Sequence, residues 1–97
     1  MGVRHAREYA DILKELTFAV SEIEQCYTFF EMEPDDWSSL SLEEQTEVME
    51  ALADDIFFGL GEQRSIAVGR GMVVYNPKHH VIEVTQDDTL IQLVRLI

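Results

Sequence analysis

The sequence predicts an α+β domain: an antiparallel helical hairpin packed on a small three-stranded antiparallel meander and closed by a short C-terminal helix, in the order α-α-β-β-β-α. Three observations carry this. Apolar residues recur at steps of three and four through the first sixty positions, the spacing of one helix face. After Gly61 the pattern changes to short β-branched runs divided by Gly and Pro turns. The chain has 97 residues, 46% of them hydrophobic, which suits one domain with one core, spanning 1–97.

The first helix is expected over about residues 5–31. Tyr9, Ile12, Leu16, Ala19, Ile23, Cys26 and Phe30 follow a heptad-like alternation, and Leu13, Val20 and Tyr27 widen the stripe. Phe18 and Phe29 lie off it, eleven residues apart, so three turns of helix would bring them together. Pro34 disfavours helical geometry at Glu33 and ends the helix nearby. Asp35, Asp36, Ser38 and Ser39 then read as turn formers, with Trp37 folding back over the helix pair.

The second helix, about 42–60, has the clearest signature in the chain. Ser41 and Glu44 form a capping box, in which each side chain satisfies the other residue's backbone N–H. Met49, Leu52, Ala53, Ile56 and Leu60 make the buried stripe, and Gly59 and Gly61 provide the stop. Adjacent Phe57 and Phe58 diverge by about 100° on a helix and cannot share one narrow seam; either one faces the sheet and the other the hairpin, or one is exposed as a homodimer or partner contact.

Strands are expected at about 65–68, 72–76 and 80–85. Gly69-Arg70-Gly71 divides the first pair, and Asn76-Pro77 starts a type I turn between the second and third. The end, 89–97, is assigned to a short helix. Thr89 with Gln92 resembles a capping box, and Leu90, Leu93, Val94 and Ile97 fit one helical face; an edge strand is the alternative.

The net charge of −12 is concentrated in one segment. Residues 15–63 contain fourteen acids and no Lys or Arg, whereas 1–14 and 64–97 each carry a net +1. Such a field favours basic partners and disfavours nucleic acid and anionic membrane. On the second helix, Glu43, Glu47, Glu50 and Asp54 form one line. Like charges at these spacings cost a few tenths of a kcal/mol per pair, roughly. Asp54 and Asp55 also sit where the helix dipole disfavours anions. An arrangement that does not help folding points to a contact with a basic surface.

Other chemistry finds little support. Cys26 lies on the apolar stripe in acidic surroundings, which suits a buried, inert thiol, and a single cysteine fits a reducing compartment. Neighbouring His79 and His80 point to opposite sides of a strand or turn, poor geometry for one metal. The Asp pairs lack calcium-loop spacing. No nucleophile elbow or phosphate loop is present. The expectation is therefore a non-enzyme without metal or cofactor. No run approaches ~20 apolar residues, and Ala6 stands where a myristoylation signal places Ser or Thr, so a cytoplasmic location is expected.

The sequence thus predicts a small acidic interaction or regulatory module that binds a basic protein through Glu43, Glu47, Glu50, Asp54, Asp55, Trp37 and Phe58. Two alternatives use the same features. One is an inhibitor that mimics nucleic acid with its carboxylates. The other is a structural subunit, a homodimer or phage-type assembly built through the apolar stripe and the aromatics.

Overall fold

In the structure, a computed structural model that describes residues 5–97, helices cover one face of a four-stranded antiparallel sheet. The helices are α1 (Tyr9–Ser21), α2 (Pro34–Ser38) and α3 (Leu42–Gly59), with a 3-10 segment, Cys26–Phe30, between the first two. The strands are β1 (Ser65–Val68), β2 (Gly71–Asn76), β3 (Val81–Gln86) and β4 (Thr89–Arg95), adjacent in chain order. Gly2, the residue a myristoyl anchor uses, lies outside the described residues. Among those described, no helix is long and apolar enough to cross a membrane.

Two expectations are corrected. The sheet has four strands rather than three, and 89–97 forms no terminal helix. Asp87 and Asp88 take φ of 53° and 62°, making a two-residue left-handed turn that sends β4 back antiparallel along β3. This turn geometry suits a hairpin, and aspartate tolerates it better than most residues. The register slips between Val84 and Thr85, which pair with Gln92 and Leu90 and leave Ile91 as an extra residue. That bulge disturbs the two-residue alternation, so the apolar positions of β4 mimic helical spacing.

The first helix is also shorter than expected, ending at Ser21 rather than near 31. Gln25 and Glu31 adopt left-handed backbone angles, φ 62° and 61°. Backbone partners from elsewhere replace the helical ladder at the break. The Arg70 N–H donates to the Glu24 carbonyl at 3.0 Å, and the Glu24 N–H donates to Gln86 Oε1 at 2.7 Å. Ile23 and Cys26 stay buried, so the stripe continues through the break although the helix does not. The three-turn spacing between Phe18 and Phe29 is lost: Phe18 is exposed, and Phe29 packs edge-on against Phe30. Pro34, expected to end a helix, opens α2 as its first residue, where a missing N–H costs nothing.

α3 forms as its sequence signals, capping box included: the Glu44 N–H donates to Ser41 Oγ at 3.1 Å, and the Ser41 N–H donates to Glu44 Oε1 at 2.9 Å. Those bonds hold the Glu44 carboxyl below its ordinary 4.5. A depressed folded value contributes stability above pH 4.5 that is lost as pH falls through it. The stability difference between wild type and Glu44→Gln is therefore expected at neutral pH and disappears on acidification, as urea unfolding at several pH values would measure.

Ile12, Leu16 and Val20 of α1 join Leu52, Ile56 and Phe57 of α3 over Val73, Ile82, Val84 and Val94 of the sheet. Cross-strand pairs Val73–Val84 and Ile82–Val94 face the helices, and Val74, Glu83 and Leu93 face away. The loop between β2 and β3 is tied by Asn76 Oδ1, which accepts from the N–H groups of Lys78 and His79 at 3.1 and 3.3 Å.

Candidate functional site

α3 carries the acidic line because its buried stripe fixes its rotation. With Met49, Leu52, Ala53 and Ile56 inward, Glu43, Glu47, Glu50 and Asp54 fall along the flank beside α1. Glu43, Glu47 and Glu50 are exposed, and none is engaged by a hydrogen bond or ion pair among the described residues. The ion pairs that do form lie elsewhere: Arg7 with Glu15, and Arg70 with Glu24 at 2.7 Å and with Asp87 at 3.5 Å.

Asp54 is different. It accepts a hydrogen bond from the Tyr9 hydroxyl, which ties α3 to the start of α1. Burial first, and then this bond, push the Tyr9 phenol well above its ordinary 10.0. A raised folded value gives stability that is complete below pH 10 and is lost as pH rises through the folded value. Tyr9→Phe is expected to lower stability at neutral pH, and its deficit against wild type is expected to shrink in alkaline solution. Chemical denaturation at neutral and high pH checks both. Asp54 thus acts mainly in holding the helix pair together.

Of the remaining predicted residues, Phe58 continues the acidic line one turn beyond Asp54, whereas Asp55 and Trp37 lie off it. Asp55 lies about 100° further round α3 from Asp54 and away from the line. Phe57 is buried and Phe58 is 47% exposed, so of the two alternatives the exposed one holds. Trp37 is half-buried, stacked on Tyr27 with centroids 5.4 Å apart and planes 16° apart. Its carbonyl accepts from Gln45 Nε2 at 2.9 Å, fastening α2 to α3. It forms a wall of the site and is not an open anchor.

The structure adds a groove that the sequence did not reveal. Between α1 and α3, on the side away from their buried stripes, Ala10, Leu13, Lys14, Thr17, Thr46 and Glu50 line a mostly apolar depression of about 460 Å³. It runs on past Thr17 and Thr46 into a second depression of about 370 Å³ bounded by Phe18, Trp37 and Leu42. Leu42 is 81% exposed and Phe18 63%. Both are large apolar side chains in contact with water beside an acidic rim. Leu42 was legible as an apolar residue on the first turn of α3, at the end of the acidic line. Lys14 faces the groove from α1 and is the one base lining it among the described residues.

Cys26 is buried against Met49, and burial raises its thiol, so it is a packing group here. Among the described residues, no three His, Cys, Asp or Glu side chains are grouped to hold a metal. No protein family, characterised protein or solved structure matches the chain.

Proposed function

We propose that the chain is a non-catalytic interaction module that takes a basic amphipathic helix along the α1–α3 groove. One observation carries the reading: Glu43, Glu47 and Glu50 stand unpaired along α3, in a stretch without Lys or Arg, and Glu50 lines an apolar groove across from Lys14 of α1. An amphipathic helix laid in such a groove places apolar anchors on its floor and charged residues on its rim. Phe18 and Leu42 supply exposed apolar surface at one end. The three unpaired acids are spaced at four and three residues, so a partner helix with Lys or Arg at matching steps meets them in register. The long-range field of the acidic segment would speed encounter with such a partner.

The mimicry reading is less well supported. The line from Glu43 to Asp54 is about 16 Å long, about half of a ~34 Å turn of duplex DNA, and its last member is held by Tyr9. A cytoplasmic setting belongs to the proposal and rests on the single buried thiol.

The test is an affinity capture from native lysate at low and high salt, comparing wild type with the Glu47→Lys, Glu50→Lys double variant. The reading expects basic proteins retained by wild type at low salt and lost both at high salt and from the variant. Partners retained equally by both proteins at both salts would refute it.

A further inference from the structure

The face of the sheet turned away from the helices carries exposed apolar side chains, and it lies across the sheet from the α1–α3 groove. An antiparallel sheet with one solvated face ordinarily alternates apolar inward and polar outward. Here the outward positions of β2, β3 and β4 include Met72, Val74, Val81, Leu90 and Leu93. Met72, Leu90 and Leu93 are 42%, 50% and 44% exposed. Across the strands they form rows, Met72–Thr85–Leu90 and Val74–Glu83–Leu93, with apolar side chains on β2 and β4 flanking Thr85 and Glu83 on β3.

We propose that this face is a homodimer interface, occupied by the same face of a second copy. Charge selects that occupant. The face carries one acid, Glu83, and one base, Arg95, on neighbouring strands at diagonal positions, because Glu83 pairs with Leu93 and Val81 with Arg95. The Arg95 side chain has no ion-pair partner among the described residues. A two-fold axis between the sheets, midway between these side chains, sets each Glu83 over the other copy's Arg95. Such an isologous contact needs a self-complementary patch, and this one is. The surface therefore offers no excess of negative charge to a basic partner.

The distribution of charge permits the same pairing. Residues 64–97 carry a net +1, and the −14 of residues 15–63 belongs to the segment with the helices. Face-to-face sheets sit about 10 Å apart and leave the two acidic helical layers on the outside. The separation is roughly 30 Å with a helix layer on each side, several times the ~8 Å Debye length. Four strands of six or so residues give a face of about 400 Å². Two copies would then bury on the order of 1,000 Å², the lower end of specific interfaces, so a reversible dimer in the micromolar range is expected.

Sedimentation equilibrium of the full chain over a wide concentration range, at low and high salt, tests this. A monomer–dimer equilibrium that high salt does not abolish is expected. Leu93→Lys, and independently Thr85→Lys on the same face, should raise the dimer Kd by about tenfold or more. Arg95→Glu should weaken the dimer, and adding Glu83→Arg should restore it. Circular dichroism establishes that each variant is folded, and the Thr85 and Arg95 changes decide the matter if Leu93→Lys does not fold. A strict monomer at the highest concentration, or a dimer indifferent to these folded variants, would overturn the proposal. Binding at this face is distinguishable from binding at the groove, since Glu47→Lys with Glu50→Lys should leave the dimer unchanged.

Discussion

Replacing Gly69 with alanine is expected to destabilise the fold by about 3 kcal/mol, a left-handed backbone penalty compounded by overpacking. Gly69 has φ of +51° in the two-residue turn between β1 and β2. A Cβ there would lie 2.4 Å from the Glu24 carbonyl oxygen and 2.5 Å from that of Gln25. Neither can withdraw freely, because the Glu24 carbonyl accepts from the Arg70 N–H and the Gln25 carbonyl from the Thr28 N–H and hydroxyl. The turn therefore plugs the break between α1 and the 3-10 segment. Urea unfolding of wild type and Gly69→Ala measures the difference, and a loss below about 1 kcal/mol, the left-handed penalty alone, would mean the contact is not made.

Phe57→Ala is expected to cost about 4 kcal/mol, the range for emptying a large aromatic site in a core. Phe57 is 2% exposed and meets Tyr9 and His5 edge-on, with centroids 5.0 and 5.3 Å away. Its ring therefore joins α3 to the segment that precedes α1. Phe58, its neighbour, is 47% exposed and should cost about 1 kcal/mol or less when truncated. Thermal unfolding of the two variants side by side checks the asymmetry. Equal losses would contradict the assigned rotation of α3, and with it the position of the acidic line.

Much of this architecture is legible in the residues, and the exceptions have a common cause. α3 is readable because its cap, stripe and glycine stop all agree. β1 to β3 are readable because Gly69-Arg70 and Asn76-Pro77 mark their turns. The break after Ser21 carries no Gly or Pro; its ties to distant residues run through Glu24, beside left-handed Gln25, to Arg70 and Gln86. β4 was hidden by its bulge, although the Asp87-Asp88 pair between two β-prone runs is a hairpin signal. The same division applies to the candidate site. Helical spacing alone aligns Glu43, Glu47 and Glu50. The tie from Asp54 to Tyr9, 45 residues away, and the groove between the helices depend on tertiary packing.

The two open surfaces are built from different halves of the chain and would respond oppositely to salt. The groove lies beside the acidic line of the base-free segment, with Glu50 in its lining, and the sheet face is close to neutral. A regulatory module that dimerises through its sheet would present two acidic grooves pointing outward, one on each copy. Such a pair would bind a partner with two basic helices by avidity.

The most direct measurement of the central claim is a calorimetric titration of the chain with a Lys-rich amphipathic helical peptide at low and high salt. Wild type and the Glu47→Lys, Glu50→Lys variant would be compared. The account predicts binding by wild type that weakens by about tenfold or more on adding salt, and by at least as much on charge reversal. Absence of binding at low salt, or an affinity unchanged by both salt and charge reversal, would contradict it.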